Sequence, residues 1–129
     1  MVLFNWCEFF LDAQDLQNFN KCYKQLRALE ERPVSPDDQA RTNLILGRYY
    51  AKTKYFVKAA SHFDKAEILF KHSFMRLELV QVYYYRSDME LMRYKKEVAK
   101  RYIKKALVLT KQIGVKSWER KIKKLLQTS

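Results

Sequence analysis

The stretch from Asn43 to Lys71 constrains the fold more than any other part of this chain. Leu46, Gly47 and Tyr50 lie on one helical turn, and Phe56, Ala59, Phe63 and Ala66 follow at steps of three, four and three positions. Such steps gather each set on one face of an α-helix. Two apolar stripes this close in sequence predict an antiparallel helical hairpin. In it Gly47 and Ala59 let the two axes approach, while Tyr50 and Phe63 fill the space on either side. A sandwich or barrel is disfavoured, since two glycines and two prolines in 129 residues leave too little turn punctuation for many strands. An apolar content of 48% likewise excludes a disordered chain.

The pattern recurs on both sides. Stepped upstream so that Asn43 falls on Trp6, it finds Trp6, Phe9 and Phe10, then Phe19, Cys22, Leu26 and Leu29 before Pro33. Stepped downstream so that Asn43 falls on Leu77, it finds Leu77, Val80, Gln81 and Tyr84. The partner stripe of Ala99, Ile103 and Ala106 lies six positions further along than that same step would put it. The extra six are expected around Ser87 to Lys96, as a longer first helix or an unusual turn. Ser35-Pro36-Asp37-Asp38 reads as a helix start, with a capping serine, proline at the first helical position and acids at the positive end. Gly114 marks a stop. Ser117 to Gln127, with Trp118, Ile122, Leu125 and Leu126, predicts a last helix that seals the open end.

Asn43, Leu46-Gly47, Tyr50, Phe56, Ala59, Phe63 and Ala66 together resemble the tetratricopeptide repeat signature. Asn43 stands where the family has an aromatic residue, Lys71 replaces its closing proline, and Trp6 occupies the favoured aromatic position upstream. The resemblance implies an all-α, right-handed superhelix of antiparallel helix pairs with about seven helices. It would form one domain over residues 1–129, with repeats at about 3–33, 36–71 and 74–113 and a cap at 117–127. It also implies a concave groove lined by the first helix of each pair. Phe4, Cys7, Leu11 and Gln14 come from the first pair, Arg41, Leu44, Arg48, Ala51 and Lys52 from the second, and Met75, Glu78, Val82, Tyr85 and Arg86 from the third. The expected partner-binding residues are Arg41, Arg48, Lys52, Glu78, Tyr85 and Arg86, holding a peptide or helix with an acidic group. The carboxylate clamp of some family members is not expected, because Leu11, Arg48 or Val82 occupies the position of its asparagine.

Charge adds a second expectation. The chain carries 26 basic and 14 acidic residues, a net +12, yet residues 1–38 sum to −3. From Lys95 to Lys124 twelve basic residues face only Glu97 and Glu119. Lys95, Lys96, Lys100, Arg101, Lys104 and Lys105 lie opposite the Ala99, Ile103, Ala106 stripe, and Lys121, Lys123 and Lys124 extend the patch. Such a surface steers toward an acidic partner. An accessory nucleic-acid-binding role is the alternative, and a membrane role is less favoured. Tyr50 and Tyr84 are expected in the core, Tyr49 and Tyr83 between helix pairs, and Tyr85 as the one exposed aromatic platform. Self-association through an apolar amino-terminal helix, by Phe4, Phe9 or Phe10, is also open.

The residues disfavour an enzyme. His62 and His72 form no nucleophilic constellation with Cys7 or Cys22, and neither a Gly-rich phosphate loop nor metal-ligand spacing occurs, so no catalytic residue, metal or cofactor is expected. Cys22 is read as a small packing residue at the position of Ala59 and Ala99. Two cysteines make no disulfide framework, Glu8 and Asp12 interrupt the apolar start, and no apolar run approaches the roughly 18–20 residues of a membrane span. The expected location is cytoplasmic, or nuclear in a eukaryote.

Overall fold

A computed structural model describes residues 2–32 and 34–128. Among these residues the fold is all-α, with seven helices and no strand: α1 (Val2–Asp12), α2 (Leu16–Glu31), α3 (Pro36–Lys52), α4 (Phe56–His72), α5 (Arg76–Met92), α6 (Lys96–Ile113) and α7 (Lys116–Gln127). Among the described residues no helix is long and apolar enough to cross a membrane.

From α2 onward the helices start at Leu16, Pro36, Phe56, Arg76, Lys96 and Lys116, one constant interval apart. The turns keep the same interval. Gln14, Lys54, Phe74, Tyr94 and Gly114 all have positive φ, between 55° and 73°. In each case the following N–H, on Asp15, Tyr55, Met75, Lys95 or Val115, donates to the carbonyl five positions back, on Phe10, Tyr50, Phe70, Glu90 or Thr110. This is the Schellman arrangement, which satisfies carbonyls that a helix end leaves open. Only Gly114 adopts the left-handed conformation without a Cβ penalty. α2 stops differently: Arg32 is extended (φ −102°, ψ 146°), as a residue before proline prefers. Ser35 then caps α3, its Oγ accepting from Asp38 N–H at 3.2 Å.

This spacing corrects the expected register. α3 starts at Pro36 and α5 at Arg76, while α4 starts at Phe56 and α6 at Lys96, so both helices of the third pair are displaced equally. α5 is as long as α3, and no irregular turn occurs. The equivalents of Asn43, Gly47 and Tyr50 are therefore Tyr83, Ser87 and Glu90. Leu77, Gln81 and Tyr84 belong to other positions. Upstream, Cys7 occupies the Gly47 position, and Cys22 that of His62 rather than Ala59. A pair that recurs only from Pro36 to Arg76 is longer than the tetratricopeptide unit of about 34 residues.

Contacts within the chain define two compact units, Met1–Leu69 and Phe70–Ser129. In the first, α1 packs on α2 and α3 and buries Phe4, Cys7 and Leu11. α2 contributes Phe19, Cys22, Leu26 and Leu29. α3 is buried nearly all round, from Ala40 through Ala51. Phe63 of α4 sits directly on Gly47: a Cβ there would lie 2.8 Å from the Phe63 ring. Gly47 thus makes room for an aromatic ring, and Ala59 of α4 is fully buried. In the second unit α5, α6 and α7 pack together around Val80, Val82, Tyr83, Met89, Ala99, Ile103, Ala106 and Ile122. Ser87, fully buried, takes the Gly47 position and returns its hydroxyl to the Tyr83 carbonyl at 2.7 Å.

Two predictions test this packing by urea unfolding. Gly47→Ala gains helix propensity of about 1 kcal/mol, but it drives a methyl into a ring with nowhere to move, so a net loss of about 1–2 kcal/mol is expected. The same change in a Phe63→Leu background should cost less. At the turns, Gly114→Ala meets no atom within 4 Å, so its loss of about 1 kcal/mol is conformational. Tyr94→Gly should move the midpoint the other way.

Candidate functional site

The residues expected to line a groove divide between the two units. In the first, α1 supplies acids and α3 supplies bases. Arg48 Nη2 donates to Asp12 Oδ1 at 2.6 Å, and the Arg48 side chain is only 7% exposed. Glu8 lies beside the same guanidinium and that of Arg41. Burial pushes its carboxyl up, and Arg48 and then Arg41 pull it down. Arg48 is therefore a tie between α3 and α1. Arg41 is half-buried and Lys52 is exposed.

In the second unit the Arg86 guanidinium lies 5.1 Å above the Tyr102 ring, with Nε 3.9 Å from Glu90 Oε1. Glu90 is buried, and Arg93 also reaches it at 3.2 Å. Tyr85 is not an open platform: its ring meets Tyr84 at 5.1 Å and Trp118 at 6.4 Å, edge to face. Glu78 is half-buried in the first turn of α5. Of the six expected groove residues, Arg48, Tyr85 and Arg86 serve packing within their own unit.

The basic surface is where the structure leaves charge in water. Between Lys95 and Lys124 eleven of the twelve lysines and arginines are exposed, and Glu97 is the one exposed acid. On α6, Arg101, Lys104, Lys105 and Lys111 recur at helical spacing and face away from Ala99, Ile103 and Ala106. Lys95 and Lys96 stand exposed at its start, and Lys100 is half-buried with its ammonium 3.8 Å from Glu97. Lys105 Nζ lies 5.5 Å over Tyr102, and Lys121 Nζ lies 4.6 Å over Trp118, so these stems cover aromatic faces. Lys123 bonds Glu119 at 3.2 Å, which holds that carboxyl below its ordinary range. Lys124 is exposed. The sequence reading overlooked Tyr94, 91% exposed in the turn next to Lys95 and Lys96. A non-glycine residue in a left-handed turn carries little sequence signal.

A polar cluster in the first unit accounts for His62 and Asn43. His62 Nδ1 meets Asn43 Oδ1 at 2.8 Å, and Asn43 Nδ2 donates to the Gln39 carbonyl at 2.8 Å. The His62 ring stacks on Tyr50 at 5.4 Å, and the Tyr50 and Tyr23 hydroxyls share a hydrogen bond of 2.7 Å. The neighbouring recess, lined by Leu29, Glu30, Gln39, Thr42, Asn43 and Lys65, has a volume of about 210 Å3. That is below the roughly 300–1,000 Å3 usual for small-molecule sites. No family model, curated protein or solved structure matches the chain.

Burial holds His62 below its ordinary pKa of 6.5. Lys65, Arg27 and Lys58 push the same way and Glu30 opposes them. The unfolded chain then binds a proton that the folded chain refuses. His62's contribution is whole above pH 6.5, declines below it, and is lost as pH falls through the lowered folded-state value. The urea midpoint should drop from about pH 7.5 to about pH 5.5 more for the native chain than for His62→Gln.

Proposed function

We propose that this protein is a non-enzymatic helical-repeat interaction module, an adaptor that engages an acidic protein partner through the outer face of α6 and α7. The tetratricopeptide resemblance is part of this reading. The observation that carries it is the exposed cationic array from Lys95 to Lys124, with Glu97 as its single exposed acid. Such an array lengthens the electrostatic reach of the surface and accelerates encounter with a carboxylate-rich segment.

Single-stranded nucleic acid is the second reading, favoured by Tyr94 beside Lys95 and Lys96. Sequence-tolerant strand binding stacks successive bases on several rings. Here Tyr102 and Trp118 are covered by Lys105 and Lys121, and Tyr85 packs on Trp118. These contacts support a carboxylate partner over a base-stacking one.

The test substitutes Arg101, Lys104 and Lys124 together by Glu, three exposed positions remote from the buried core. Affinity for a polyglutamate peptide should fall by about tenfold or more, with an unchanged melting curve and a reduced dependence on salt. Unchanged affinity would place the binding face elsewhere. Retention of single-stranded DNA without retention of the acidic peptide would favour the second reading, and Tyr94→Ala should then weaken it.

A further inference from the structure

The repeat register makes α1 and α3 equivalent position by position, and their surroundings differ at one face. On α3, Ile45 and Leu46 are fully buried. Tyr49 stacks on Phe19 of α2 at 4.8 Å and meets Tyr23 at 5.0 Å, while Tyr50 meets Tyr23 at 6.4 Å. This is how α3 receives the helix before it. The corresponding residues of α1 are Asn5, Trp6, Phe9 and Phe10. Asn5 is exposed, Trp6 is 53% and Phe9 59% exposed, and Phe10 is half-buried. Their rings already form a set: Trp6 stacks on Phe10 at 5.7 Å, and Phe9 meets Phe10 edge to face at 5.6 Å. Phe4, the other aromatic expected at this surface, is 1% exposed on the inner side and takes no part.

From this equivalence we infer that the Trp6–Phe9–Phe10 face of α1 docks an amphipathic α-helix of a partner protein, one that offers aromatic side chains four positions apart as α2 offers Phe19 and Tyr23. The site continues, one period earlier, the interface by which α2 covers α3. Asp12, at the carboxyl end of α1, is already paired with Arg48 of α3, so this face is read by its rings and not by charge. This surface is separate from the basic face of α6 and α7 and does not depend on its role.

The experiment supplies such a helix in register. The segment 15–41 is joined ahead of Val2, so that the added copy of α2 leads into α1 with the same offset by which α2 leads into α3. Both tryptophans are labelled as 5-fluorotryptophan, and their fluorine resonances are assigned with Trp6→Phe. The Trp6 resonance should shift and lose most of its accessibility to an aqueous paramagnetic quencher, while that of Trp118 stays in place. Phe19→Ser with Tyr23→Ser in the added copy alone should restore the original spectrum, as should Phe9→Glu, an exposed position whose change leaves the core intact. A Trp6 resonance that stays accessible in the extended chain overturns the inference. So does sedimentation of the unextended chain as a dimer that Phe9→Glu dissociates, because the occupant is then a second copy.

Discussion

Five of the seven helices, α1, α3, α4, α5 and α6, end where the backbone turns left-handed, and those turns set the register of the rest. Five turns place one residue at positive φ and bond the next N–H to the carbonyl five positions back, each separated from the next by one helix or by two. A constant interval fixes which side chains of neighbouring helices meet. It brings Phe63 over the bare Cα of Gly47 and His62 against Asn43, and it sets Ser87 at the equivalent buried position in the second unit. Shifting one helix by a single position would rotate its stripe by about 100° and lose these contacts together. The turns carry that register at a steric cost, since four of the five left-handed residues are Gln, Lys, Phe and Tyr.

Charge is used differently in the two units. In the first, the acids of α1 and the bases of α3 neutralise each other at close range, and the Arg48–Asp12 pair is nearly dry on its cationic side. A half-buried charge with a partner in place has little left to offer a ligand, and removing its partner would leave it uncompensated. In the second, the bases of α6 and α7 face water, where each single pair is weak and the collective field is not. The same residue types thus act as internal ties in one place and as a long-range attractor in the other.

Much of this was legible in the chain. Apolar spacings of three and four gave the helices, Ser35 and Gly114 gave two of their ends, and the alternation of alanine and lysine along α6 gave its basic face. The repeat length was not legible, because Leu77, Val80 and Tyr84 match the apolar template better than the true equivalents, Tyr83, Arg86, Ser87 and Glu90. The informative residues, Gln14, Lys54, Phe74 and Tyr94, look ordinary in sequence. The fate of Arg48 was hidden for another reason. Its partner Asp12 lies 36 residues away, and nothing local to either residue signals the pair. The surroundings of Tyr85 and Arg86 were hidden in the same way, since only the seating of Trp118 and Tyr102 shows what their groups pack against.

Cys7 and Cys22 face each other between α1 and α2, both buried, with the Cys7 thiol pushed up by burial and then by its neighbour. A thiol so shielded reacts with alkylating reagents chiefly when the hairpin parts. The pair is therefore a built-in clock for breathing of the amino-terminal hairpin, read by the rate at which the two sulfurs become labelled.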